Sequence, residues 1–215
     1  MAEPLVPRRR SPAEGLLEGS RLRELSFLAQ AELRVDPDEA EAASRMAEQF
    51  LGCPLPGPGR ATGSGTPYVL WSGPGRYLVV DADATGRGLC AGLRSALGGE
   101  YGRLCAAVAD LSAQRTVLEL RGPDAGEVLA RGCPMDLHPR VFGPGSYAQT
   151  VVGKAAVGLH RTGGPVGPGA PAGSGAEGEA SAFRVLVRAS FADYLARFLT
   201  GAADDVRRER AGAVG

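Results

Sequence analysis

The sequence predicts an α+β fold, with mainly antiparallel sheets and helices packed on them. Three observations carry this prediction. Strand-like runs come in pairs across glycine turns, as hairpins. Helical runs are spaced among those hairpins without strict strand-helix alternation, which disfavours a doubly wound parallel sheet. The chain, 215 residues with 44% hydrophobic content, is long enough to bury one proper core. The expected layout is a flexible tail over 1–20, a single α+β domain over 21–206 interrupted by a low-complexity loop at 162–182, and a second tail at 207–215.

The run LSFLAQAELRV (25–35) predicts one strand. Asp36 then caps a helix in DEAEAASRMAEQFLG, with Pro37 at its first position and Gly52 as its stop. YVLWSGPGRYLVV (68–80) predicts a hairpin turning at Gly73, Pro74 and Gly75, with Trp71 in the core. In GRGLCAGLRSALGG, Leu89, Leu93 and Leu97 stand four apart on one helical face, Cys90 lies beside them, and Gly98 is the stop. Strands in LCAAVADL and RTVLELRG flank Ser112. Gly122, Pro123 and Asp124 then open a short helix whose Val128 and Leu129 face inward before Gly132 ends it.

GCPMDLHPRVFGPGSYAQT leaves that helix as a proline-stiffened turn and feeds a second hairpin, YAQTVVGKAAVGLHR, split at Gly153 and Lys154. The glycine, proline and alanine of the following segment bury too little area to offset ordering, so it reads as a flexible loop. FRVLVRA is one more strand, and Ser190 caps FADYLARFLTGAADDV. There Phe191, Tyr194, Leu195, Phe198 and Leu199 recur at helical spacing, with Ser190 and Asp193 in capping-box register.

Composition narrows the function classes. Lys and Arg number 24 against 24 Asp and Glu, which leaves no field to hold a phosphate backbone, and no basic run is interleaved with aromatics. Nucleic acid is not an expected partner. Arg8, Arg9 and Arg10 read as a solvated terminus: no apolar stretch follows them, and no run approaches the roughly 20 apolar residues of a membrane span. The expected location is the cytoplasm. Cys53, Cys90, Cys105 and Cys133 are widely spaced and read as reduced thiols.

Four constellations bear on chemistry. GRGLCA (86–91) satisfies G-x-G-x-x-A at a helix start, where a pyrophosphate can rest on backbone amides. Its glycines, however, lie several residues past the strand, and 32 glycines in the chain make a chance match the better reading. Cys133 and His138, with Asp136 as orienter, form a thiolate-imidazole pair only if the fold bends them together. Otherwise Cys133 packs as a small apolar residue and His138 bonds to backbone. Two histidines and scattered cysteines without C-x-x-C or H-x-x-x-H spacing make a poor metal set. Asp110, Ser112 and Arg115, between two strands, either hydrogen-bond a polar ligand or partner or satisfy local amides in a turn. His160 and Arg161 read as solvated strand-end residues.

VADLSAQRTVLELRGPDAGEVLARGCPMDLHPRVFGPGSYAQTVV resembles the folate-binding domain shared by glycine-cleavage aminomethyltransferases and their relatives: acid-Leu-Ser, strand, Gly-Pro-Asp-Ala, helix, then an Asp-containing turn into a Tyr-Thr hairpin. Within that superfamily, ELSFLAQAELRVDP, LWSGPGRYLVV, GCPMDLHPRVFGPGSYAQT and FRVLVRASFADYLARFLTGAA resemble the gamma subunits of heterotetrameric sarcosine oxidases. The resemblance implies a small α+β subunit assembling with alpha, beta and delta subunits in a complex that demethylates sarcosine to glycine, forms hydrogen peroxide and passes the one-carbon unit to tetrahydrofolate. It implies no cofactor in this chain, with FAD, FMN, NAD and tetrahydrofolate in the partner subunits and zinc in the delta subunit. It implies no catalytic residue either. The family-motif or interface candidates are Asp110, Ser112, Arg115, Asp136, His138, Phe142 and Tyr147.

Folate-dependent members of the superfamily carry a catalytic aspartate just after the hairpin. From Ser146 through Arg161 this chain has no Asp or Glu, so the carboxylate that would meet a cationic tetrahydrofolate amine is missing. The alternatives are a standalone folate-binding enzyme or repair factor that uses Cys133 or Asp136 instead, or a nucleotide-binding protein built on GRGLCA.

Overall fold

The structure is a computed structural model that describes residues 10–14, 22–63, 65–98, 104–163 and 181–213. In chain order the elements are β1 (Leu22–Leu25), β2 (Ala29–Val35), α1 (Ala40–Leu51), β3 (Ala61–Thr62), β4 (Tyr68–Gly73), β5 (Arg76–Asp81) and α2 (Gly86–Ala96). There follow β6 (Ala106–Asp110), β7 (Arg115–Arg121), α3 (Ala125–Ala130), β8 (Tyr147–Val152), β9 (Ala155–Gly163), β10 (Ala182–Arg188) and α4 (Ala192–Gly212). The strands form two five-stranded sheets, ordered β1-β7-β10-β9-β8 and β3-β4-β5-β2-β6, and every pairing is antiparallel. The α+β expectation is met.

In the second sheet the succession β2, α1, β4, β5, α2, β6 interleaves two split β-α-β units. Helices α1 and α2 cover one face through Ala43, Ala47, Leu89 and Leu93, packed on Leu33, Val69 and Val79. The other face carries Tyr68, Leu70, Leu78 and Val80, which meet Val117, Tyr147 and Leu186 of the first sheet. Helices α3 and α4 close the far side of the first sheet over Leu118, Phe183 and Val185. The order of layers is therefore helices, sheet, sheet, helices. This explains why YVL and YLVV read as continuous apolar runs: strands buried on both faces do not alternate.

Backbone bonds lace the sheets together. The Ala61 amide donates to Gly145 O at 2.8 Å, and the Tyr147 amide to Gly59 O at 2.9 Å.

The single strand expected at 25–35 is two strands, parted by a turn in which Phe27 takes a φ of 62°. Eleven residues at about 3.3 Å each would overrun an ordinary strand. The break instead lets β1 join β7 while β2 pairs with β5 and β6 in the other sheet. Asp36 caps as expected, accepting from the Asp38 amide at 3.0 Å over a single 3-10 turn before α1. Gly52, at φ 70°, stops α1. Trp71 is half-buried against the core of the second sheet.

The expected capping box at Ser190 is not formed. Ser190 lies inside a 3-10 turn (Ala189–Phe191), no side chain caps α4, and the Asp193 carboxylate pairs with Arg197 at 3.0 Å.

The ends of the domain depart from the expected tails. Helix α4 continues past 206 to Gly212, with Val206 buried and Arg210 paired to Glu127 at 2.8 Å. Within the 1–20 segment, Ala13 is buried and its amide donates to Glu24 Oε2 at 3.1 Å. Most of the expected 162–182 loop lies outside the described residues.

Candidate functional site

The signature turn between α3 and β8 is built from local bonds. Asp136 Oδ1 accepts from the His138 amide at 2.8 Å, and His138 Nδ1 accepts from the Arg140 amide at 3.2 Å. The His138 carbonyl takes the amides of Val141 and Phe142, each at 2.9 Å. Both polar side chains are thus engaged by backbone, and both face solvent. Cys133 sits apart and buried, its sulfur 3.9 Å from Thr150 Oγ1. The structure does not bring Cys133 and His138 into a nucleophile-base pair. Among the described residues no three His, Cys, Asp or Glu side chains stand where they could hold a metal.

Beneath the turn lies Arg161, whose side chain is fully buried instead of solvated. Its guanidinium donates to the carbonyls of Phe142 (2.8 Å), Leu137 (3.2 Å) and Gly163 (3.3 Å) and lies 5.2 Å from the Phe183 ring centroid. Burial pushes its pKa down, and carbonyl dipoles replace the lost water. Phe142, a family-motif candidate, therefore acts through its backbone oxygen as well as its buried ring.

His160, also expected to be solvated, is buried on the opposite face of β9, between the sheets. It belongs to a polar row that crosses all five strands of the first sheet in register: Arg23, Glu119, Arg184, His160 and Tyr147. Glu119 is wholly buried and pairs with Arg23 at 2.6 Å, Arg121 at 2.8 Å and Arg184 at 3.6 Å. Burial pushes the Glu119 carboxyl up, but the guanidiniums of Arg121 and Arg23 outweigh it and hold the pKa below the ordinary value. Tyr68 of β4 lies over the row, 5.6 Å from the His160 ring, with Arg184 at 4.6 Å from the Tyr68 ring centroid. Burial, reinforced by Arg184, lowers the His160 pKa to about 3, and burial raises Tyr68 to about 12. Neither titrates near neutrality, so neither suits general acid-base work there.

This row was missed in sequence because its members lie in five separated segments that only strand register aligns. Tyr147 alone among them was a candidate.

Asp110, Ser112 and Arg115 form a second constellation at one end of the sheets. Asp110 Oδ1 accepts from the Ser112 hydroxyl at 2.6 Å and amide at 2.9 Å, and these bonds, hydroxyl first, hold its pKa low. Ser112 Oγ accepts from the Gln30 amide at 3.0 Å, and Gln30 Nε2 donates to the Arg115 carbonyl at 3.2 Å. The turn thus ties β2 to the loop between β6 and β7. The Asp110 carboxylate also lies against Gly86 so closely that a Cβ there would collide with it. The start of α2, where GRGLCA would seat a pyrophosphate, faces the chain's own anion. Asp136 and His138 are brought neither to this turn nor to the buried row.

The two-sheet, four-helix fold has a solved aminomethyltransferase among its structural neighbours. The glycine cleavage system aminomethyltransferase T from Bartonella henselae shares the fold, with a TM-score of 0.55 and 15% identity over 84% of this chain and 45% of that one. The match becomes particular with the sarcosine oxidase, gamma subunit family, whose model covers residues 34–167. Sarcosine oxidase subunit gamma from Corynebacterium sp. (strain P-1) is 38% identical over 213 residues, 94% of this chain and 93% of that relative. The corresponding subunit from Arthrobacter sp is 43% identical over 165 residues, 72% and 78% of the two chains. The heterotetrameric sarcosine oxidase from Corynebacterium sp. U-96 contains a chain that superposes with a TM-score of 0.72 at 33% identity, over 92% of this chain and 95% of that one. The chain belongs to the sarcosine oxidase gamma subunit family.

Proposed function

We propose that this chain is a non-catalytic gamma subunit of a cytoplasmic, heterotetrameric sarcosine oxidase. Its partners are alpha, beta and delta subunits. The complex demethylates sarcosine oxidatively to glycine, forming hydrogen peroxide and 5,10-methylenetetrahydrofolate. FAD, FMN, NAD and the folate reside in partner subunits, and zinc in the delta subunit. The observation that carries the non-catalytic reading is the hairpin β8–β9 and its approach, which hold no carboxylate from Ser146 through Arg161 and present Tyr147, Gln149 and Arg115 instead. A cationic tetrahydrofolate amine finds no counter-charge there, so the residues do not fit that ligand. In the row behind it, burial keeps His160 neutral, and the Glu119 carboxylate is already paired with Arg23, Arg121 and Arg184. Burial likewise keeps Tyr68, which lies over the row, un-ionised.

The test is expression of the chain alone and with candidate alpha, beta and delta subunits. The isolated chain is expected to bind no flavin and to oxidise no sarcosine. An active oxidase is expected only when all four are present, and full activity and assembly without this chain would overturn the reading. Micromolar tetrahydrofolate binding to the isolated chain, measured by calorimetry, would favour the standalone folate enzyme in its place.

A further inference from the structure

The inner face of the first sheet continues from the polar row to the margin of the second sheet, where Tyr147 and Leu186 pack against that sheet and Gln149 Nε2 donates to the Ser72 carbonyl at 2.9 Å. A groove of about 420 Å³ opens there, walled by Arg115, Tyr147, Gln149, Val151, Leu186 and Arg188 among others. Arg115 and Arg188 stand directly opposite each other in the β7–β10 ladder. Like charges in directly opposed positions repel, and among the described residues neither guanidinium is paired with a carboxylate. No acidic residue lines the groove.

Tyr147 forms part of the groove wall. Its hydroxyl is buried, lies close over Gly158 in the groove wall, and has no partner with hydrogen-bonding geometry, although Ser72 is near enough to oppose the upward pull of burial on its pKa. Val151 is 43% exposed on β8, the edge strand of the sheet. Two opposed cations and an exposed aliphatic beside a sheet edge form a surface complementary to an extended chain bearing a carboxylate.

We infer that the Arg115–Arg188 groove docks an acidic segment of a partner subunit, one carboxylate of which sits between the two guanidiniums. The inference rests on the proposed assembly with alpha, beta and delta subunits. The carboxylate relieves the cross-strand repulsion, so the isolated chain carries an unfavourable contact that assembly removes.

The experiment compares wild type with Arg115→Gln/Arg188→Gln in the full chain. The double variant is expected to melt at the same temperature as wild type or higher, because a repulsion is gone, yet to bind its partner subunits at least about tenfold more weakly. Wild-type assembly should weaken between about 50 and about 500 mM salt, and that of the variant should change much less. A photo-crosslinking amino acid at position 151 in the assembled complex should capture a partner peptide containing Asp or Glu.

Assembly of the double variant within about twofold of wild type overturns the inference, as does a crosslinked peptide without Asp or Glu, or no crosslink in an intact complex. So does binding of free glutamate by the isolated chain without loss of partner binding, which would make the groove a small-carboxylate site. Failure of the wild-type chain to assemble with the other subunits is a separate result: it refutes the proposed function, and the inference with it.

Discussion

His160 and Arg161 are consecutive residues on one strand, and their side chains meet opposite problems. Arg161 stays charged under the signature turn because three backbone carbonyls surround it. His160 faces the inter-sheet layer, where burial, reinforced by Arg184, holds it neutral. That difference is measurable as pH dependence. With a folded pKa of about 3 against an ordinary 6.5, the unfolded chain takes up a proton at position 160 over a range where the folded chain does not. Stability therefore falls as pH drops from 6.5 towards 3, at up to about 1.4 kcal/mol per pH unit from this group. Glu119 acts lower: its folded pKa lies below 4.5, so its stabilisation is complete above that value and is lost as pH falls through the folded pKa. The interval from 6.5 to 4.5 isolates His160. His160→Phe should flatten the urea-derived stability curve across that interval and leave the steep loss below 4.5 in place.

At the scale of elements, turns decide which sheet each strand joins. The short turn around Phe27 hands the chain from one sheet to the other. The β4–β5 hairpin is closed by Gly75 at φ 63°, its carbonyl accepting from the Val35 amide at 2.8 Å. A Cβ on Gly75 would collide with the Val35 carbonyl oxygen, and the left-handed backbone strains any other L-residue. Gly75→Ala should therefore cost about 2 kcal/mol in denaturant unfolding, combining strain with the loss of this contact. Hydrogen exchange at the Val35 amide should quicken more than at the Val79 amide, which lies in the sheet interior. Equal protection at Val35 in variant and wild type would show that the turn adjusts freely.

At the scale of the whole molecule, a small apolar layer joins two sheets that each carry a separate helical cover. Leu186, 1% exposed, belongs to the first sheet and packs in that layer with Leu70 and Leu78 of the second. If the chain is one cooperative domain, a cavity at Leu186 destabilises both halves together. Leu186→Ala should cost about 3 kcal/mol. The sole tryptophan, Trp71 in the second sheet, should report the same shifted midpoint as far-ultraviolet circular dichroism. Two separated transitions, with Trp71 unaffected, would show that the sheets unfold independently.

Local pattern was enough for most elements: glycine turns at 73–75 and 153, the leucine stripe of α2 and the apolar face of α4 all reflect interactions within a few residues. It also made the family resemblance legible, since GPDA and DLHP with PGSYAQT are contiguous. Local pattern misplaced His160 and Arg161, because a polar pair at the end of a strand looks the same whether water or another sheet lies beyond it. The break in the 25–35 strand was equally hidden, as both halves have strand composition and only the competing sheets require the turn. The sequence by itself determined the α+β class, the succession of helices and hairpins, and the lack of a carboxylate at the hairpin. Only the tertiary structure decided the two-sheet layering, the buried row from Arg23 to Tyr147, and the opposition of Arg115 to Arg188. The physical reason is that each depends on strand register, which brings side chains from segments up to about a hundred residues apart onto one face, as with Arg23 and Glu119.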